Sequence, residues 1–189
     1  MATIHRTTMN PTKLELLEAW LPGQPFYAGD GAPRLEKNAG FRLDDPAGEV
    51  GIEFVIVTDV SGDEPAIYHV PLTYRAEPLD GAGAALVGVS EHGVLGTRYI
   101  YDGAADPVWR ACVLELIAGI QVPQAQSVSG TPEPGVSVVG ADSVPRYVEI
   151  LRRPVPGDPA EGVGAAVVGF WFEGGARVTG ALLRTAAEA

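Results

Sequence analysis

The stretch from residue 52 to residue 75 reads IEFVIVTDVSGDEPAIYHVPLTYR and decides the fold class. Ile52-Glu53-Phe54-Val55-Ile56-Val57 is almost unbroken in apolar, β-branched and aromatic residues, the mark of a strand covered on both faces. Ser61-Gly62-Asp63 then supplies turn chemistry before Ile67-Tyr68-His69-Val70 resumes the β pattern. An antiparallel hairpin is the expected product.

Outward from this hairpin, similar runs separated by Gly, Asp and Pro predict strands at 36–43, 50–60, 66–75, 84–89 and 96–101. Asn10-Pro11 signals a helix start, and Leu14, Leu17 and Leu21 recur at three- and four-residue spacing up to the Pro22-Gly23 stop. Residues 1–9 carry no periodicity and read as a loose arm or an edge strand. Asp106 and Pro107 form the cap and first position of a second helix, with Val108, Cys112 and Leu116 on its buried face and Gly119 near its end. Residues 122–135 are rich in Pro, Ser and Gly and read as a linker or long loop. Beyond them, 146–152, 165–172 and 177–183 alternate like strands, the last two joined by a tight turn at Glu173-Gly174-Gly175. The expected class is α+β: an N-terminal unit over 1–121, the loop, and a β-rich extension over 136–189.

Charge and composition narrow the function classes. With 24 acidic against 13 basic side chains, the net charge of −11 opposes binding to nucleic acid or anionic lipid. No run approaches the ~20 apolar residues of a membrane span and the N-terminus lacks a signal-peptide core, so a cytoplasmic protein is the expectation. Cys112, the single cysteine, sits among apolar neighbours and reads as a buried small hydrophobe. His5, His69 and His92 have no second His or Cys at ligand spacing, so neither a metal site nor a cofactor is expected. Ser90, Glu91 and His92 contain the residue types of a hydrolytic triad without the G-x-S-x-G turn that exposes a nucleophile. The carboxylate pairs Asp44-Asp45 and Asp102/Asp106 read as turn and cap residues. Gly162, Gly164 and Gly169 lack dinucleotide-fingerprint spacing and precede a strand.

Three stretches in order resemble a known family. Leu21-Pro22, Phe26-Tyr27 and Gly29 after the first helix, the run IYHVPLTYR, and YDGAADPVWRACVLELI are together similar to the N-terminal cap of actinobacterial maltokinases. The resemblance implies a cystatin-like fold, a curved antiparallel sheet wrapped against a helix. Asp30 stands where those caps commonly carry a basic residue. YVEILRRPVPGDP, in the extension, resembles the start of the kinase N-lobe, with Glu149 at the position of the lysine that holds ATP phosphates. The chain has no catalytic loop or D-F-G element. The resemblance thus implies a noncatalytic cap-like binding or accessory module in maltose, trehalose or α-glucan metabolism, binding an unidentified protein partner or a small sugar. Phe26, Tyr27 and Tyr101 are the candidate stacking residues, with His92 beside them. A small enzyme acting on an α-glucan through a pocket in the curved sheet is the alternative; a self-associating homodimer is the third reading.

Overall fold

The structure is a computed structural model that describes residues 9–128, 130–140, 147–157 and 164–185. In chain order these form β1 (Met9–Asn10), α1 (Lys13–Trp20), β2 (Leu35–Asp44), β3 (Gly51–Asp59), β4 (Ala66–Arg75), β5 (Leu86–His92), β6 (Gly96–Asp102), α2 (Pro107–Ile117), β7 (Gln124–Ala125), β8 (Ser137–Gly140), β9 (Val148–Ile150), β10 (Ala165–Glu173) and β11 (Ala176–Thr185).

β3 and β4 are the expected hairpin, in register from Gly51 opposite Tyr74 to Asp59 opposite Ala66. Both faces of β3 are covered. Ile52, Phe54 and Ile56 enter one core with Phe41, Leu43, Trp109 and Cys112. Val55 and Val57 enter a second with Leu16, Leu17, Leu21 and Tyr68.

The hairpin lies in a seven-stranded antiparallel sheet of order β1-β5-β6-β4-β3-β2-β7. α1 touches both β2 and β5, although β3, β4 and β6 lie between them. At ~4.8 Å per strand these two would stand about 19 Å apart in a flat sheet, far more than a helix ~10 Å wide can bridge. The sheet therefore curls into a half-barrel around α1. Gly88 of β5 makes the closest approach: a Cβ there would stand 2.5 Å from Leu16 Cδ2. α+β, with one helix inside a curved sheet, is confirmed.

The extension does not join this sheet. β8, β10, β11 and β9 form a second, four-stranded sheet, and its Val167, Trp171, Leu182 and Leu183 pack with α2 against the outer face of the half-barrel. Segment 151–155 joins the two layers. The His69 amide donates to the Arg152 carbonyl (2.9 Å), the Leu151 amide to Leu182, and the Arg152 guanidinium pairs with Asp102 (2.6 Å) while stacking on Phe26.

Several boundaries differ from expectation. The α1 cap is Thr12, not Asn10: Thr12 Oγ1 accepts from the Glu15 amide and Glu15 Oε2 accepts from the Thr12 amide, a closed capping box. Asn10 instead pairs with Glu91 at the sheet edge. A 3-10 turn at Gly83–Ala85 moves the fourth predicted strand to 86–92. Of the strand predicted over 146–152, only Val148–Ile150 pairs in a sheet, and Arg146 lies outside the described residues. Gln124-Ala125, within the predicted loop, pairs with β2, and β8 was not predicted. Of the arm expected over 1–9, only Met9 is among the described residues, and it is an edge-strand residue. Thr12→Ala is expected to cost about 1 kcal/mol in urea denaturation, whereas Asn10→Ala changes it by less than about 0.5 kcal/mol. Equal losses from both would assign the cap to Asn10 after all.

Candidate functional site

A cleft of about 1060 Å³ opens where the two layers meet. Its walls are the 28–32 loop, the β3–β4 turn, Arg153–Val155 and the β10–β11 tip at Phe172–Gly174.

Local chemistry holds each wall in place. The Tyr27 hydroxyl donates to the Gly31 carbonyl (2.8 Å), closing the 28–32 loop over its own ring. A Cβ on Gly29 would fall 2.3 Å from that hydroxyl, so the fold-over requires glycine. The Ala28 amide donates to the Tyr68 hydroxyl (3.1 Å), and the Tyr27 and Tyr68 rings lie 5.7 Å apart. Across the cleft, Asn38 clamps the hairpin tip. Its Nδ2 donates to the Phe172 carbonyl and its Oδ1 accepts from the Phe172 amide, both at 2.8 Å, as a neighbouring strand would.

The lining is acidic, with apolar patches. Among the described residues, Asp30, Asp59, Glu64 and Glu173 face it against one cation, Arg153, and Phe172 and Val155 expose apolar surface beside them. Burial works to raise the Asp59 carboxyl, but hydrogen bonds from Ser61, Arg34 and Tyr27 outweigh it and hold the group below the ordinary carboxylate range. Burial and the Asp59 charge push the Tyr27 hydroxyl up. Among the described lining residues there is no histidine, cysteine or lysine. The wall accepts hydrogen bonds and offers an exposed aromatic face.

The four sequence candidates do not converge. Tyr27 supports the cleft from behind its loop. Phe26 turns toward Trp20 (6.0 Å) and the Arg152 guanidinium (4.9 Å). Tyr101 is 3% exposed and its hydroxyl accepts from the Leu79 amide, so it offers no stacking face. His92 lies at a second, smaller pocket, where Nδ1 accepts from the Val94 and Leu95 amides and braces the β5–β6 turn. Phe172, Glu64 and Glu173 escaped sequence reading, although an exposed Phe beside a Gly-Gly turn was a usable signal.

The remaining polar candidates have structural partners. Ser90, 1% exposed, donates to the Pro11 carbonyl, and Glu91 accepts from Thr97, so Ser90, Glu91 and His92 form no triad. Asp45 accepts from three amides of the β2–β3 turn. Asp102 caps the turn after β6, and Asp106 caps α2 while pairing with Arg75. Burial, reinforced by the Arg152 charge, pushes His69 down to about 3, so it stays neutral at ordinary pH. Burial raises the Cys112 thiol, in keeping with an unreactive core residue. Glu149 lies exposed on β9 opposite Arg184. Among the described residues no three His, Cys, Asp or Glu gather as a metal set, and no helix is long and apolar enough to cross a membrane.

Residues 20–106 match a family model described as the maltokinase N-terminal cap domain. That span covers α1's last residue, the 28–32 loop and β2 to β6, and ends at the cap of α2. No curated protein matches the chain.

Proposed function

We propose that this chain, whose residues 20–106 match the maltokinase N-terminal cap domain, is a noncatalytic accessory module that binds a neutral, polyhydroxylated ligand of the maltose and α-glucan class in the cleft between its two layers. One observation carries this reading: the matched 28–32 loop and the β10–β11 hairpin of the extension face each other across an acceptor-rich cleft with an exposed aromatic ring. Sugar hydroxyls donate to carboxylates, and the apolar face of a pyranose packs on an aromatic ring. Four carboxylates against one cation among the described lining residues disfavour phosphorylated sugars.

The test is thermal unfolding with maltose, maltotetraose and trehalose. A ligand at about a hundred times its dissociation constant adds about 2.7 kcal/mol, which is easily read as a rise in Tm. The rise is expected with at least one of these sugars and is expected to vanish in Phe172→Ala and Glu64→Gln, whose side chains are exposed and whose loss leaves the unliganded Tm nearly unchanged. No rise with any of the three, or a rise that survives both substitutions, rejects the reading.

A further inference from the structure

The interlayer cleft is a groove rather than an enclosed pocket. Every residue of the 28–32 loop is exposed, and among the walls of the extension Val155 is 74% and Phe172 44% exposed. Pockets for small ligands run to ~300–1,000 Å³ and bury about 70–90% of what they hold. At about 1060 Å³ this groove stands at the top of that range, and its exposed walls leave a disaccharide largely in water. Both Arg153–Val155 and the hairpin tip lie outside the matched residues 20–106, so the groove is made by this chain's extension as much as by its cap-like unit.

Segment 151–157 fixes the spacing of the apolar contacts. It runs beside β11, the Leu151 amide donating to Leu182 (2.9 Å) and the Gly157 amide to Thr179 (3.0 Å), and the Val155 carbonyl packs on Gly180, where a Cβ would collide with it. Gly180 pairs with Gly169, and Phe172 stands three residues further along β10. At ~3.4 Å per residue, Val155 and Phe172 therefore leave the main chain about 10 Å apart. Stacked rings lie ~4.5–7 Å from each other, so one pyranose cannot touch both side chains. Adjacent rings of an α-1,4-linked chain also stand closer together than this, and both contacts fill at once only with a further ring between them. The charged groups are spread in the same way. Asp59 is occupied by the Arg34 and Ser61 amides and the Tyr27 hydroxyl, and Glu173 Oε1 accepts from Trp171. Asp30 on the 28–32 loop, Glu64 on the β3–β4 turn and Arg153 beside Val155 are exposed and have no hydrogen bond or ion pair among the described residues. A succession of sugar hydroxyls can donate to the two carboxylates and accept from the guanidinium.

Resting on the sugar reading above, we propose that the groove takes a linear α-glucan segment longer than a disaccharide, with Phe172 and Val155 packing on non-adjacent rings, and that maltose fills it only in part. Isothermal titration calorimetry of the full chain with maltose, maltotetraose and maltohexaose tests this. Affinity is expected to rise about tenfold or more from maltose to maltohexaose, beyond the few-fold gain a longer chain has simply by offering more binding frames. Val155→Ser changes an exposed side chain. It is expected to keep the Tm and the affinity for maltose, which sits on Phe172, and to cut the gain from chain length to that few-fold, whereas Phe172→Ala weakens every sugar. Equal affinity for the three sugars, or a tenfold gain that survives Val155→Ser, overturns this proposal and leaves the sugar reading standing. No saturable heat with any of the three rejects both.

Discussion

Replacing Trp171 with alanine is expected to lower stability by about 3–5 kcal/mol and to weaken both sheets in a single unfolding transition. Trp171 is completely buried on β10, in the core it shares with Phe41, Phe54 and Trp109 of the cap-like unit. Glycine at 180 admits the ring, since a Cβ there would stand 2.7 Å from Trp171 Cη2. Alanine would leave a cavity between two sheets that cannot close without moving β10 off β2. The indole also donates to Glu173 Oε1 (2.6 Å), so its loss removes a polar anchor from the hairpin tip. Trp20 and Trp109 remain as fluorescent reporters, and urea titrations followed by their emission and by far-UV circular dichroism should coincide. Two separated transitions, the first leaving Trp20 unperturbed, would show that the layers are energetically independent.

Asp106→Ala is the second large effect, again about 3–5 kcal/mol. The carboxylate is wholly buried, accepts from Arg75 Nε and Nη2 at 2.7 Å each, and caps α2 through the Val108 amide at 2.9 Å. Alanine would strand a largely buried guanidinium and leave the first turn of α2 without its cap. The effect should depend on pH in a definite direction. Burial raises the Asp106 carboxyl, but Arg75, the Val108 amide and Thr73 outweigh it, so the folded value lies below the ordinary one. Such a group contributes fully above its unfolded value of ~3.9 and loses that contribution as pH falls through its folded value. The stability gap between wild type and Asp106→Ala should be constant from pH 7 to about 5 and should shrink below about 4. Asp106→Asn, which can still cap α2, is expected to fall between them. A gap below about 1 kcal/mol at pH 7, or one that widens in acid, would contradict this account.

The fold was legible where a single local pattern carried it. The nearly continuous apolar run of β3 announced two covered faces, and Asp106-Pro107 announced α2, because period and cap both lie within a few residues. α1 shows how two local signals compete. Asn10-Pro11 looked like a start, yet Thr12-x-x-Glu15 was also present and won, since it satisfies two orphan groups where a lone Asn satisfies one. β7, two residues long, is held by pairing with β2 and carries too little sequence to show a period. The site was less legible. Tyr101 looked like an exposed aromatic, but its register opposite Thr73 puts it on the outer face, where it is buried and its hydroxyl accepts from the Leu79 amide. Asp30, Glu64, Val155 and Phe172 are far apart in sequence and line one groove only because Asn38 and segment 151–157 tie the two layers together, which no single-chain pattern reveals.

The order in which the layers are made also matters to the cell. The outer face of the half-barrel, with Phe41, Ile52, Phe54 and Ile56, is complete once β4 ends at Arg75, and α2 shields only part of it. Of the second sheet that covers the rest, β8 begins at Ser137, but β10, which brings Val167 and Trp171, begins only at Ala165, 90 residues after Arg75. At a translation rate of ~5–20 residues per second, a ribosome needs about 5–18 s to reach it. For that interval the nascent chain displays a broad apolar surface at the tunnel exit, so its yield in the cell depends on chaperone supply and elongation rate as well as on final stability.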